Sequence, residues 1–554
     1  MVRVTFVCGR GRSSHREFKK GTLLHRIAKE IPGPSAIPIL AARVGNRLLS
    51  LADTVESDAT VEWIGYDHPM GQEIYQRTAS FILFMAVAEL YQNSRLILGH
   101  SLGNGLYYDF YSHIPVNPEI LNAIREKMHL IIESDLPFRR SFISRPEAIR
   151  FFGDRAINDT LRLIENSPID GVQVYENGRF ATFELYPLAY STGAISQFEL
   201  KTYAPGLVML FPQPADFRMQ AEIGKNRKLF AIYQESKSWG KILSVNDVGR
   251  LNQVINQQGI SELIKIAESL HEKKIADIAD TITARREDLH LVLVAGPSAS
   301  GKTTFSKRLA IHLRVNGIRP LALSLDNYFI DRDRCPRDEN NVYDFESLAV
   351  VDLKLFNDQL SRLLNGYEVE VPKFDFESGR RIEDHFRLRL EEDQLLIIEG
   401  IHCLNEQLTS GIADKNKFRI YISPLTQLAI DDHHRIATTD TRILRRLVRD
   451  HRFRNYSAAA TLTRFPSVIR GERRNIFPFQ ENADVMFNSA LVYELAALKD
   501  YAIPLLQSIA AADPTFLEAQ RLLTFLQLFQ SVPAAEIPPT SILREFIGGS
   551  SFKY

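Results

Sequence analysis

The stretch His290–Leu309, HLVLVAGPSASGKTTFSKRL, decides the fold of the C-terminal half of this chain. Leu291 to Ala295 is an uninterrupted apolar run, the composition of a strand covered on both faces in a parallel sheet. Phe305, Leu309 and His312 to Leu313 then give an apolar face at helical spacing, so the sequence predicts strand, glycine-rich turn and helix in that order. Gly296 and Gly301 let bare backbone N–H groups curl around a polyphosphate at the helix N-terminus. The expected cradle is Gly296, Pro297, Ser298, Ala299, Ser300, Gly301, Lys302, Thr303 and Thr304. In it Lys302 reaches the terminal phosphates and the Thr303 hydroxyl is available to Mg²⁺.

Two further apolar runs place carboxylates in the same sheet. In RPLALSLDNYF, Leu321 to Leu325 reads as a strand with Asp326 at its carboxyl end, where parallel α/β sheets bind ligands. Leu395 to Ile398 reads the same way and ends in Glu399-Gly400. Hard cations take oxygen ligands and keep their waters, so Thr303, Asp326 and Glu399 are the candidate Mg²⁺ ligands. Arg442, Arg445, Arg446 and Arg449 recur at helical spacing and fall within about 100° of arc. With no interleaved acid on that face the stripe repels itself unless an anion is near, and the guanidinium fork suits phosphate.

At 554 residues the chain has room for about three domains, and its 45% hydrophobic content is that of a globular protein. Lys plus Arg and Asp plus Glu number 67 each, which removes any global pull toward nucleic acid or a membrane surface. Any polyanion site must be local. Cys8, Cys335 and Cys403 have no metal-like spacing and make no disulfide framework, which suits a reducing compartment. The N-terminus lacks a signal-peptide core, and the longest apolar run, Phe81 to Leu90, is too short to span a bilayer. The expected location is cytoplasmic, with no membrane partner.

Residues 1–66 alternate short strands (VRVTFV, ARVGNRLLSL, ATVEWIG) around one helix (LLHRIAKEI), with turns at Gly9 to Gly11 and Pro32 to Pro34. This β-grasp pattern resembles the TGS domain that opens threonyl-tRNA synthetases. FILFMAVAELYQNSRLILGHSLGNGLYYDFY, from Phe81, and VYENGRFATFELYPLAYSTG, from Val174, resemble the second domain of threonyl- and alanyl-type synthetases, here residues 67–225. That family edits mischarged tRNA with two histidines four apart, then a Cys and a His four apart. The matching positions are Arg77, Phe81, Glu184 and Leu188. Phe and Leu neither bind metal nor move protons, so editing chemistry is expected to be absent, with Arg77 and Glu184 paired as a salt bridge. RNA stays a partner only through this resemblance. Residues 226–287 read as a connecting helical hairpin, packed on a neighbouring domain through Ile260, Leu263, Ile264, Ile266, Ala267, Leu270, Ile275 and Ile278.

GPSASGKTT, LSLDNYF, VPKFDFESGRR, LLIIEGIH, DTRILRRLVRDHRFRN and ENADVMFNSA follow one another, across residues 288–505, as in the uridine kinase and phosphoribulokinase group of P-loop kinases. The resemblance implies ATP as phosphoryl donor with Mg²⁺, Asp326 as general base, and Lys302, Arg445 and Arg449 as further catalytic residues. It implies a lid in which Arg442 and Arg446, then Arg452 and Arg454, close over the ATP phosphates. Asp326, Tyr328, Asp344, Phe374 and Arg381 are the acceptor-side residues carried over, with Asp344 on a ribose hydroxyl. Uridine kinases have Tyr where this chain has Phe374 and His where it has Gly379, and those two groups hydrogen-bond the pyrimidine. Without them polar readout of the base is lost. The expected function is therefore phosphorylation of a nucleoside 5′-hydroxyl, with no uridine assignment. A sugar or sugar-phosphate kinase is the alternative, and a nucleotide-switched RNA-binding regulator is the reading from another class. Kinases of this type are often oligomeric, so a homo-oligomer stays open.

The tail, residues 506–554, begins with an apolar helical pattern, Phe516 to Leu528, and ends in IPPTSILREFIGGSSFKY, read as an anion-binding turn or a docked strand without assigned chemistry. The expected architecture is α/β and multidomain: a P-loop NTPase-type parallel sheet flanked by helices, preceded by a β-grasp unit and an α+β synthetase-like domain.

Overall fold

The computed structural model describes residues 1–8, 12–30, 37–220, 223, 226–339, 341–426 and 428–553. The turns expected at Gly9 to Gly11 and Pro32 to Pro34 lie outside the described residues. C-terminally, five strands form one parallel sheet in the order Arg319–Ser324, Gln394–Glu399, Leu291–Ala295, Lys417–Ser423, Val485–Asn488. Leu291–Ala295 is buried at every residue, as its unbroken apolar run requires of a central strand. Phe305, Leu309 and Leu313 of the helix Lys302–Val315 are fully buried behind it.

The strand order matters for chemistry. Gln394–Glu399 lies between the strand that feeds the glycine turn and the strand that precedes Asp326, with Glu399 in register with both Val294 and Ser324. Two carboxylates and a lysine thus emerge at one edge of one sheet.

The N-terminal unit is a five-stranded sheet in the order Arg12–Phe18, Val2–Cys8, Ala59–Gly65, Ile39–Val44, Arg47–Ser50, with the helix Leu24–Glu30. The run ARVGNRLLSL breaks into a hairpin at Gly45, which takes the left-handed φ of 58°. Arg12–Phe18 is a strand that hydropathy did not predict, because RSSHREF has no apolar alternation and joins as a polar edge strand. The next unit sets the helix Pro69–Leu90 against a four-stranded and a three-stranded sheet. That helix is buried from Phe81 to Val87 without a polar face, which is why its sequence reads as one long apolar run.

The connector is three helices, Arg227–Leu243, Val248–Asn256 and Ile260–Thr283, and not the hairpin expected. Ser244 in the left-handed region ends the first, and Asp247 caps the second by accepting from the Arg250 N–H. The third packs on Lys302–Val315, where Glu272 bonds both Arg308 and His312. Ile266 is exposed, so the buried stripe is narrower than the periodicity suggested. No helix among the described residues is long and apolar enough to cross a membrane.

The segment before the arginine helix Thr438–Phe453 reaches back to the synthetase-like unit. Leu98 N–H donates to Asp432 O (2.8 Å), Asp432 N–H to Asp159 Oδ2 (2.8 Å), and Thr160 Oγ1 to Asp431 Oδ2 (2.9 Å). His434 stands between Asp431 (2.7 Å) and Glu184 (3.4 Å), all three buried. Burial alone would lower the imidazole pKa, but the two carboxylates outweigh it and push His434 up to about 10.

A folded pKa above the ordinary 6.5 means the clamp stabilises fully below about pH 6.5 and is lost as pH rises toward 10. His434→Gln should therefore destabilise most at and below neutral pH. The gap in melting temperature from the parent should close toward pH 10. Parallel melting curves across that interval check this; a gap that stays constant refutes it.

Candidate active site

The glycine turn is held open from behind. A Cβ on Gly296 would overlap the Ile422 carbonyl of the adjacent strand, and Gly301 takes a φ of 86°, so neither position accepts a side chain without strain. Carbonyls of the turn are taken by arginines: Arg442 Nε donates to Ser298 O (3.0 Å) and Arg445 Nη1 to Ala299 O (3.4 Å). Ser489 Oγ donates to Ser300 O (2.5 Å). Ser300 Oγ is fully buried without a hydrogen-bond partner, and Lys302 Nζ rests on Pro297 O (3.2 Å). A turn with its carbonyls tied outward and a buried orphan hydroxyl suits an anion that accepts hydrogen bonds.

Asp326 and Glu399 flank Lys302. Burial raises the Asp326 carboxyl above its usual range, against the pull of Lys302, Arg454 and Arg449. Burial and then the charge on Asp326 push Glu399 up to about 7, although Ser324 Oγ donates to it (2.9 Å). Thr303 is half-buried on the first turn of the adjoining helix. Two neighbouring oxyanions disfavoured by burial are relieved by a hard divalent cation, so the all-oxygen donor set fits Mg²⁺.

The arginine helix differs from the exposed lid face expected. Arg442 and Arg445 are almost wholly buried, paired with Glu472 and Glu494 from other helices. These acids replace the interleaved ones whose absence suggested a free cationic stripe. Arg446 reaches Ser298 Oγ (3.0 Å) and Asp450 (3.1 Å), and Arg449 bonds Asp450 (2.7 Å). Arg449 and Arg454 are the members of the group that act on Asp326. Arg452 is exposed and lies against Gly548 of the tail.

On the acceptor side two expectations need correction. Tyr328 is fully buried and its hydroxyl is committed to Gln359 Oε1 (2.8 Å), because the 3₁₀ turn Leu325–Tyr328 that carries Asp326 points it into the core. Arg381 is engaged by Asp352 (3.0 Å) and Glu383 (2.7 Å) and ties down the hairpin Val369–Asp375/Arg380–Leu388. Asp344 accepts from the Glu346 N–H (3.2 Å) and lies against Gly471. Phe374 joins Phe329 and Phe376 in an aromatic cluster, with Arg454 4.3 Å over Phe376.

Gly379 has a φ of 71°, and a Cβ there would lie 2.7 Å from Arg332 Cζ. Arg332 therefore fills the place where a side chain is missing, and donates to Phe376 O (2.8 Å). Sequence reasoning missed Arg332, Glu472, Glu494 and the tail residue Glu545, which bonds Thr304. Only the Gly379 departure hinted at one of them.

In the synthetase-like unit Arg77 pairs with Glu73 one helical turn away (2.6 Å) and stacks over Tyr186, so the salt bridge to Glu184 does not form. Glu184 faces His434 instead, and Phe81 and Leu188 are core residues. A cleft of about 140 Å³ remains there between the two units.

Residues 291–496 match the Phosphoribulokinase / Uridine kinase family, and this part of the chain is a domain of that family. The N-terminal region is similar to threonine–tRNA ligases. That of Symbiobacterium thermophilum is 33% identical over 192 residues, covering 34% of this chain and 30% of the ligase. That of Acetivibrio thermocellus is 32% identical over 205 residues, covering 37% and 32%. The match thus spans under a third of those ligases. Among solved structures, one described as a possible uridine kinase from Bacillus stearothermophilus is 18% identical with a TM-score of 0.27, covering 39% of this chain and 98% of its own.

Arg445→Ala would strand Glu494 as an unpaired buried charge, at a cost of about 3 kcal/mol of folding stability. Urea unfolding measures it, and Arg445→Lys should recover little, since one ammonium cannot serve Glu494, Ser489 O and Ala299 O together.

Proposed function

We propose that this protein transfers the γ-phosphoryl group of ATP to a hydroxyl of a small molecule, foremost a nucleoside 5′-hydroxyl. The observation that carries this reading is the convergence of Asp326 with Lys302 at the carboxyl edge of one parallel sheet, beside a turn built for phosphate. The kinase family match supports a phosphotransferase.

In this mechanism Asp326 accepts the proton of the acceptor hydroxyl as its oxygen attacks the γ-phosphorus, and the bond to the bridging oxygen of ADP breaks. Lys302 leaves Pro297 O for the transferring oxygens. Arg449 and Arg454 offset the charge that grows there. Mg²⁺, when bound by Thr303, Asp326 and Glu399, would neutralise phosphate charge. The buried Arg442 and Arg445 keep the turn in shape.

A second reading rests on the aromatic cluster. Phe329, Phe374 and Phe376 offer an edge-to-face ring cluster and no hydroxyl, and two guanidiniums, Arg332 and Arg454, flank Phe376. Cations beside an acceptor pocket without polar base readout favour an anionic acceptor, a sugar phosphate.

ATP turnover with Mg²⁺ across nucleosides, pentoses and sugar phosphates separates the two readings. Asp326→Asn should cut acceptor-dependent turnover by about 10²–10⁴-fold while ATP still binds. ATP binding without turnover on any acceptor would instead point to a nucleotide-switched regulator, tested by salt-dependent tRNA binding.

A further inference from the structure

The first turn of the helix Lys302–Val315 carries an anion supplied by the chain itself. Glu545 Oε2 accepts from the Thr304 N–H (3.2 Å) and from Thr304 Oγ1 (2.7 Å), across 241 positions of sequence. That N–H lies in the first turn of the helix, at the positive end of its dipole. In a glycine turn of this type the same donors hold nucleotide phosphate. We propose that Glu545 is a built-in competitor for the phosphate-binding turn, whose carboxylate must swing aside for ATP or ADP to bind. The inference rests on reading the turn as the ATP site.

The moving part is the side chain and not the tail. Ile542, Leu543, Phe546 and Ile547 are buried. Arg544 donates to Ala534 O (2.8 Å) and Ile537 O (2.6 Å). Ile542 packs on Gly301, where a Cβ would meet its Cγ2 at 2.5 Å, and Phe546 lies 5.0 Å from Arg445 Cζ. This anchoring keeps residue 545 beside the turn, while Glu545 itself is only half-buried and can rotate toward solvent. Carboxylate and phosphate cannot share the Thr304 donors, since two anions on one pair repel at close range. The resting protein thus has its helix terminus capped, at the expense of nucleotide affinity.

The test is isothermal titration of the full-length protein with Mg²⁺-ATP and with ADP, for the parent, Glu545→Gln, Glu545→Ala and, as reference, Lys302→Ala. Losing charge-assisted bonds to Thr304 should tighten both nucleotides about tenfold in the two Glu545 variants. Their nucleotide-free melting temperature should fall as the cap is lost. A purely structural residue would lower both stability and affinity. If the parent binds, Lys302→Ala does not, and either folded Glu545 variant binds no tighter, the phosphate-turn reading stands and the competitor is disproved. If even the parent binds no nucleotide, the reading of the turn fails and takes this inference with it.

Discussion

A phosphate-binding turn must present unpartnered N–H groups to a ligand while remaining folded without one, and the rest of the catalytic half is arranged around that constraint. Its carbonyls are tied from behind by Arg442 and Arg445, and those arginines are themselves neutralised by Glu472 and Glu494. Each guanidinium is too buried to stand alone, so the acids on neighbouring helices are part of the turn's support. The arginine helix is in this sense a backing plate first. Its C-terminal end, with the partly buried Arg449 and Arg454, acts on the carboxylate Asp326.

The same electrostatic economy extends across the site. Burial and then the charge on Asp326 disfavour ionisation of Glu399, and Lys302 does not offset them. Glu346 and Glu472 repeat the pattern on the other side, with Glu346 pushed up to about 7 by burial and then by Glu472.

The synthetase-like unit contributes in another way. Arg77, Phe81, Glu184 and Leu188 are here core residues or ion-pair partners, and the kinase-domain segment around His434 docks against Glu184. That segment runs directly into the arginine helix at Thr438. The synthetase-like unit thereby becomes a mechanical neighbour of the glycine turn, joined through the buried Asp431–His434–Glu184 cluster.

Sequence alone determined the strand, turn and helix from Leu291 to Leu313, the carboxylates closing two further strands, and the likeness of the N-terminal half to synthetases. These are local patterns: apolar runs, glycines and periodicity act over a few residues and need no partner to be read. It missed the polar edge strand Arg12–Phe18, read the three-helix connector as a hairpin, and set Tyr328 and Arg381 on the acceptor side. Only the tertiary structure decided which acid pairs with Arg442 or Arg445, that Arg332 fills the space beside Gly379, and that Glu545 meets Thr304 from the far end of the chain. The physical reason is that buried charge pairing is long-range and one-to-one. Any carboxylate can neutralise any guanidinium, and the packing of helices on the sheet selects the pair.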